Sequence, residues 1–137
     1  EILIIGLGRV GKGAYESLYE MEGEKVWGMD ADRDRVLKLS QRGLNAFAGD
    51  GEDADLWENI NLEKVKLIPL ALPSIDDDIN ILQQLKQANY KGKVAAIARY
   101  EDERKKLIEA GINNVFNFYK EAGIGFAEES LAIIKAN

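Results

Sequence analysis

The chain opens with EILIIGLGRVGK, residues 1–12, and this stretch decides the fold. An apolar run at positions 2–5 predicts a buried strand, and Gly6, Gly8 and Gly11 then form a GxGxxG pattern that leads into a segment with helical periodicity. A glycine turn between a strand and a helix presents backbone N–H groups to a phosphate. Because both neighbours of the pattern are present, it favours a mononucleotide or dinucleotide site over a purely structural turn.

An acidic residue at the end of the next strand supports the same interpretation. Asp30 follows the last glycine by roughly 20 residues, where an acid accepts hydrogen bonds from the ribose hydroxyls of a nucleotide. An acid there would repel a 2′-phosphate, so the sequence favours NAD or an AMP-type ligand over NADP. The alternative is a solvated strand end.

Strands and helices alternate along the whole chain. The predicted strands are 2–5, 24–29, 45–48, 65–72, 93–98 and 114–118, and the predicted helices are 10–21, 32–41, 54–60, 74–88, 101–110 and 122–136. This alternation predicts an α/β fold: a Rossmann-type, doubly wound parallel sheet of six strands, in the order 3-2-1-4-5-6, with helices on both faces. Pro69 lies in the fourth strand, where we expect a bulge or a gap in the ladder. We assign residues 1–119 to the nucleotide-binding core and residues 120–137 to a C-terminal helix.

Helical periodicity predicts which side chains face the sheet. They are Val10, Ala14, Leu18 and Met21 in the first helix, and Val36, Leu37 and Leu39 in the second. The last helix carries an apolar stripe of Ile124, Ala127, Leu131 and Ile134. Stripe width alone leaves two alternatives open, packing on its own sheet or contact with a second subunit.

The composition excludes several function classes. The 137 residues suggest one domain, and a net charge of −6 argues against a nucleic-acid partner. The chain has no histidine and no cysteine, so the commonest general base and the thiol nucleophile are both missing, and we expect no enzyme activity. No apolar run approaches the roughly 18 residues of a membrane span. The chain starts inside its first strand without methionine, which predicts a piece of a longer protein.

In such sheets the ligand lies beyond the carboxyl ends of the strands, at the point where the strand order reverses. The predicted binding residues are Gly6, Leu7, Gly8, Arg9, Val10, Gly11, Asp30, Ala31, Asp32, Asp50, Ala71, Leu72 and Arg99. Arg9 suits phosphate oxygens, Asp50 an adenine amino group, and Arg99 a second phosphate or another subunit. The alternatives are a solvated Arg9, a turn or capping role for Asp50, and a surface ion pair for Arg99.

Two other chemistries fit less well. Gly6 to Lys12 nearly matches the GxxxxGK phosphate loop, but Gly13 stands where Ser or Thr would ligate Mg²⁺, which disfavours NTP hydrolysis. The acidic groups at 76–78 and 52–55 could bind a hard cation, but acids at helix starts usually complement the helix dipole. We therefore predict no metal site.

Several segments together resemble a known family. They are GLGRVG at 6–11, Asp30, Gly49-Asp50, LALPSIDDDINILQQLK at 70–86 and IARYEDERKKLIEAG at 97–111. They are similar to the regulator-of-potassium-conductance (RCK) domain of the TrkA-N type. Within it, the C-terminal part looks most like the cytosolic domains of KefB/KefC-type glutathione-regulated potassium/proton antiporters.

The resemblance implies a regulatory domain without catalysis. It would sense NAD(H) or an adenine nucleotide such as AMP, pair as a homodimer, and gate a membrane potassium transporter or antiporter in the same or an associated chain. It would lie in the cytoplasm, at the inner face of the cell membrane. The alternatives are the cofactor domain of an NAD-dependent dehydrogenase separated from its catalytic domain, and a dimerising module that has lost nucleotide binding.

Overall fold

A computed structural model, which describes residues 1–112 and 114–136, places six parallel strands in one sheet. The strands are β1 (Ile2–Ile5), β2 (Val26–Asp30), β3 (Ala46–Ala48), β4 (Leu67–Leu70), β5 (Lys93–Ala98) and β6 (Asn114–Asn117). The helices are α1 (Arg9–Glu22), α2 (Arg33–Gln41), α3 (Ala54–Glu58), α4 (Ile75–Gln87), α5 (Glu101–Ala110) and α6 (Phe118–Lys135). Short 3₁₀ turns at Gly23–Lys25 and Leu62–Lys64 precede β2 and β4.

The strand order is β3-β2-β1-β4-β5-β6, which confirms the predicted Rossmann-type topology. β1 pairs with β2 on one side, from Ile2 opposite Val26 to Ile5 opposite Met29, and with β4 on the other. Strands β2 and β3 are therefore added on one side of β1 and the last three strands on the other, so the strand order reverses between β1 and β4. A crevice forms at such a switch point, beyond the carboxyl ends of the two strands.

Pro69 is accommodated in β4 without a bulge. β4 pairs with β1 at Leu67 and at Leu70 in one unbroken register, and with β5 through Pro69 opposite Ala95. Between these two positions β4 and β1 do not pair in the described structure, as expected around a proline that has no N–H to donate. The predicted gap in the ladder is therefore correct, and the predicted bulge, which would insert an extra residue, is wrong.

Each face of the sheet is covered by its own set of helices. Tyr15 of α1 and Leu39 of α2 pack with Ile4 and Val26 on one face. On the other face, α3, α4 and α5 contribute Trp57, Ile81, Leu82, Leu85 and Leu107 to a larger core. The two layers fix the glycine turn between β1 and α1, since both ends of that turn are anchored in buried structure.

The predicted inward faces of the first two helices are partly wrong. Val10, Met21 and Leu37 are exposed, whereas Tyr15 is fully buried. Gly11 packs directly against the turn at Gly6, and this contact rotates α1 so that positions 11 and 15 face the sheet. In α2, Leu37 lies about 100° around the helix from the buried Val36 and therefore points outward.

The last helix begins at Phe118, four residues earlier than predicted, and none of its described residues is buried. Its exposed apolar side chains are Tyr119, Ile124, Phe126, Leu131, Ile133 and Ile134. The alternative that this stripe packs on its own sheet is therefore wrong. No helix in the described ranges has the length and apolar character needed to span a bilayer.

Candidate functional site: a crevice at the switch point

The glycine turn is built so that only glycine fits at two positions. Gly6 has φ +99°, and a Cβ there would lie 2.6 Å from the carbonyl oxygen of Ala71. A Cβ on Gly11 would lie 1.7 Å from the carbonyl oxygen of Gly6. The Gly6 N–H donates to the carbonyl oxygen of Met29 at 2.8 Å, so the turn is tied to β2. The start of α1 is thereby drawn tightly against the sheet.

The N-terminus of α1 faces this turn with its backbone donors uncapped by side chains. Its N-cap is Gly8, which has no side chain that could cap the helix, and its first turn contains no acidic residue. The first N–H groups of a helix have no partner within the helix and carry the positive end of its dipole. This end of α1 is thus suited to hold a phosphate.

Asp30 connects the glycine turn to the loop after β2. The Leu7 N–H donates to its Oδ2 at 2.7 Å and the Asp32 N–H donates to its Oδ1 at 2.8 Å. The Arg35 guanidinium lies 3.6 Å from Oδ2, and Asp30 is only 8% exposed. A carboxylate has about four acceptor positions, so both oxygens can still accept hydrogen bonds from a ribose.

The crevice beyond β1 and β4 has a volume of about 600 Å³, within the range of small-molecule sites. Ten of the predicted residues line it: Gly6, Gly8, Arg9, Val10, Asp30, Ala31, Asp50, Ala71, Leu72 and Arg99. Leu7 and Gly11 are not among the lining residues and are buried in the structure that supports the turn. Asp32 instead caps α2, accepting from the Asp34 N–H at 2.9 Å.

Other lining residues were not among the predicted binding residues. They are Ile5, Arg35, Gly49, Gly51, Glu52, Pro73, Asp77 and Ile81. The side chains of Asp77 and Ile81 come from the first two turns of α4, and Arg35 from the first turn of α2. Their positions in the sequence could have predicted these three, because in this fold the first turns of the helices that follow the strands lie at the same edge of the sheet as the crevice.

The alternatives left open for single residues now have a structural outcome. The turn role of Asp50 is observed, because its Oδ1 accepts from the Glu52 N–H at 2.9 Å, and Asp50 also lines the crevice, so its contact with adenine stays a prediction. In the part of the chain that the structure describes, neither Arg9 nor Arg99 forms an ion pair, and both line the crevice. The Arg99 guanidinium lies 5.9 Å from the ring centre of Phe118, at the start of α6.

The lining charges nearly balance. Arg9, Arg35 and Arg99 are opposed by the carboxylates of Asp30, Asp50, Glu52 and Asp77. The carboxylates lie along the part of the lining formed by the ends of β2 and β3 and by α4. The crevice therefore combines hydrogen-bond acceptors for ribose and base with donors for phosphate.

The acidic groups do not gather into a metal site. Within the described ranges, no three Asp or Glu side chains are placed to share an ion. Asp53 caps α3 by accepting from the Asp55 N–H at 3.0 Å, and the Asp76 N–H donates to the hydroxyl of Ser74 at 3.3 Å. The Asp53 contact is the helix-start role weighed above for an acidic residue, whereas α4 is capped by the hydroxyl of Ser74.

A buried carboxyl group lies behind the crevice. Asp78 of α4 is 1% exposed, and neither of its oxygens has a hydrogen-bond partner in the described structure. Burial, with a smaller contribution from the negative charge of Asp77, raises the pKa of Asp78 to about 8, although the charge of Arg99 acts in the opposite direction. We therefore expect Asp78 to be mostly protonated at pH 7.

Comparison with known proteins assigns the family. The sequence model of the TrkA-N domain matches residues 2–118. The YbaL protein of Escherichia coli (strain K12), named as a cation/proton antiporter, is 29% identical over 113 residues. The glutathione-regulated potassium-efflux protein KefC of Enterobacter sp. (strain 638) is 30% identical over 114 residues. These alignments cover 82% and 81% of the chain but only 20% and 18% of the relatives, so the chain spans about a fifth of their length.

Solved structures share the fold. The TrkA-N domain of E. coli YbaL superposes with a TM-score of 0.81 at 26% identity, over 93% of this chain and 94% of that domain. The NAD(P)-binding domain of an exopolyphosphatase-related protein from Archaeoglobus fulgidus gives 0.86 at 20% identity, over 96% and 98%. The AMP-bound Kef C-terminal domain of Shewanella denitrificans gives 0.72 at 17%, over 97% and 80%. The last two likenesses establish the fold alone, and the sequence match establishes the family: the chain belongs to the TrkA-N domain family.

Proposed function

We propose that this domain is a regulatory, non-catalytic part of a potassium transport protein of the Kef type, and that it senses NAD(H) or an AMP-type adenine nucleotide. The observation that carries the proposal is one crevice that holds both an uncapped helix N-terminus at a glycine turn and the half-satisfied carboxylate of Asp30. Its relatives are transport proteins. Of the solved domains that share its fold, one is described as AMP-bound and another as NAD(P)-binding.

The chemistry of the lining groups suggests where each part of the nucleotide binds. The 5′-phosphate binds at the start of α1, where the backbone donors and Arg9 meet it. The ribose hydroxyls donate to Asp30, and the adenine lies toward Asp50 and Leu72. Arg99, on the far side of the crevice, takes the second phosphate of a dinucleotide.

Chemistry on the nucleotide has little support in these residues. Hydride transfer requires a substrate site and an acid or base beside the nicotinamide, and the chain has no histidine or cysteine for that work. The dehydrogenase alternative therefore needs a catalytic domain outside this chain. Binding without turnover is what a sensor requires.

The apolar surface of α6 supports a homodimer as the working unit. Phe126 is 75% exposed, and Ile133 and Ile134 are exposed to a similar degree. Large apolar side chains exposed along the length of a helix mark an interaction surface. A second copy of the chain is the proposed occupant, as the family resemblance implies. The start of α6 lies close to the crevice, since Phe118 contacts the Arg99 guanidinium. A nucleotide that repositions Arg99 would thus bias the arrangement of two paired α6 helices.

The coupling to transport follows from differential affinity. A nucleotide shifts the dimer between two arrangements only by the difference in its affinity for them. The attached or associated membrane transporter then responds to the favoured arrangement, with the domain on the cytoplasmic side of the cell membrane.

Calorimetric titration of the purified domain tests the nucleotide proposal. AMP, NAD and NADH should bind saturably, and chromatography should recover each one unchanged. Asp30→Asn should weaken binding at least about ten-fold, since it removes the charge that strengthens the ribose hydrogen bonds. Asp34→Asn is the matched control, because Asp34 lies in the first turn of α2, four residues after Asp30, and does not line the crevice. Absence of binding, or equal loss in both variants, would reject the site.

Sedimentation velocity tests the dimer separately. The domain should sediment as a dimer, and Phe126→Glu should convert it to a monomer. Leu37→Glu is the control, because it places the same charge on an exposed leucine of α2. If the unmodified protein sediments as a monomer, the dimer proposal is wrong and the nucleotide proposal is unaffected.

A further inference from the structure

A groove runs along the edge of the sheet opposite the crevice, where β4 and β5 begin. It consists of two cavities of about 690 and 550 Å³ that share Tyr90, Gly92 and Lys93. We call the two together the edge groove. The Tyr90 side chain lies across Gly92, because the Tyr90 hydroxyl fills the space that a Cβ on Gly92 would need. Each cavity is within the size range of small-molecule sites, and the two in series suit an elongated occupant.

The floor of the edge groove is apolar. Residues from the segment before β4, from α4 and from β5 form it: Ile60, Leu62, Val65, Leu82, Leu85 and Val94. The indole N–H of Trp57, which also lines the larger cavity, already donates to the carbonyl oxygen of Gly51 at 2.7 Å. Burial raises the pKa of Tyr90 to about 12, which indicates that little water surrounds its hydroxyl. An apolar ligand would therefore gain free energy by leaving water for this floor.

The rim of the edge groove is basic. Lys66, Lys86, Lys91 and Lys93 line it, and Glu63 is the one acidic residue among the lining residues of the described chain. None of the four lysines takes part in an ion pair among residues 1–112 and 114–136. This excess of positive charge occurs in a chain of net charge −6, so the rim favours an anion.

Two of the four lysines have a structural role and two do not. The Lys86 Nζ donates to the carbonyl oxygen of Ala110 at 2.8 Å, and Lys91 follows the C-terminus of α4, where a cation complements the helix dipole. Lys66 and Lys93 lie on adjacent strands, since the Lys93 N–H donates to the carbonyl oxygen of Lys66 at 2.9 Å. Both line the larger cavity, and two neighbouring ammonium groups repel each other unless an anion binds between them.

The chemistry of the edge groove differs from that of the crevice. No α-helix begins among its lining residues, so it lacks the backbone donors that suit a phosphate. Lysine ammonium groups act as compact point charges and suit a carboxylate. We propose that the edge groove binds a long-chain carboxylate, with its carboxyl group at Lys66 and Lys93 and its alkyl chain along the apolar floor beside Tyr90. This second site does not depend on the nucleotide site.

NMR titration of the ¹⁵N-labelled domain with hexanoate, octanoate and decanoate, each below its micelle concentration, tests the proposal. Amide shifts should fall at residues 60–66 and 89–94. Each pair of added methylene groups should strengthen binding about ten-fold, because the floor removes them from water. 1-Octanol, which has the chain length of octanoate without its charge, should bind about ten-fold more weakly than octanoate.

Charge reversal locates the carboxyl group. Lys93→Glu should weaken decanoate binding about ten-fold, and Lys66→Glu should do the same, so that the test does not depend on the folding of one variant. Lys105→Glu is the control, because it makes the same charge change at an exposed position of α5 that lines neither cavity, and it should leave the affinity unchanged. Thermal melting checks that each variant is folded.

Several results would overturn the proposal. If octanol binds as tightly as octanoate, or if decanoate binding persists in both Lys66→Glu and Lys93→Glu, the lysines do not hold the carboxyl group. If the shifts fall on α6, decanoate covers the exposed apolar side chains of that helix and not the groove. If a hexaglutamate peptide binds the groove and decanoate does not, the groove accepts an acidic protein segment and the proposal is wrong. None of these results affects the nucleotide site, which lies at the opposite edge of the sheet.

Discussion

Replacing Asp78 by asparagine should change how the stability of the domain depends on pH. The carboxyl group of Asp78 is buried without a hydrogen-bond partner in the described structure, and burial raises its pKa to about 8. The charges that act on its pKa are those of Asp77 on its own helix, Arg99 just after β5 and Glu103 on α5. Asparagine has nearly the same shape and does not titrate, so the difference between the unmodified domain and Asp78→Asn reports the protonation of Asp78 alone.

The sign and size of the effect follow from proton linkage. In the unfolded chain an aspartate loses its proton near pH 3.9, whereas in the folded domain Asp78 keeps it until about pH 8. Between these values the folded state binds one proton more, so its stability decreases as the pH rises, by about 1.4 kcal/mol per pH unit. Between pH 5 and pH 7 the unmodified domain should lose about 3 kcal/mol relative to Asp78→Asn, and above about pH 8 the difference should become constant.

Urea unfolding of both proteins from pH 5 to pH 9 measures this difference. The chain has no histidine and no cysteine, so few other groups titrate in this range. The amino terminus is common to both proteins and cancels in the comparison. A difference in unfolding free energy that stays flat between pH 5 and pH 7 would refute the reasoning, because it would show that Asp78 is ionised in the folded state.

Three further substitutions test the turn and the core. Gly11→Ala should destabilise the domain by about 1–3 kcal/mol or more and abolish nucleotide binding, since its Cβ would overlap the carbonyl oxygen of Gly6; near-normal melting would contradict this. Gly13→Ala, two residues on in the same helix with no atom within 4 Å of its Cβ, should stabilise it by about 0.5–1 kcal/mol in the same thermal melts. Trp57→Phe should cost about 1 kcal/mol or more in urea unfolding, because it leaves the carbonyl oxygen of Gly51 without its 2.7 Å bond from the indole N–H; an unchanged midpoint would show that this bond contributes nothing.

The fold was predictable because local patterns agreed with one another. The glycine turn, the strand-ending Asp30 and the alternation of strands and helices all indicate the same sheet order, which the structure confirms. Ser and Asp are favoured at helix N-caps, and Ser74 and Asp32 cap α4 and α2 through the hydrogen bonds typical of that position.

The errors came from contacts between distant segments. The rotation of α1 depends on Gly11 packing against Gly6, and periodicity alone favoured Val10 over Tyr15. The double role of Asp30 depends on where the Leu7 N–H lies after folding. A cavity between α1 and α2 is lined by cations from both helices, and no single stretch of sequence shows that Lys12 and Lys38 line it together.

The central claim is that an adenine nucleotide binds at the glycine turn, and an NMR titration of the ¹⁵N-labelled domain with AMP tests it most directly. The largest amide shifts should fall at Gly8–Gly11 and at Asp30 to Asp32, with smaller ones at Asp50 and Arg99. Asp30→Asn should require higher AMP concentrations for the same shifts. Shifts concentrated instead around Trp57 and Tyr90, which line a cavity at the opposite end of the sheet, would contradict the account.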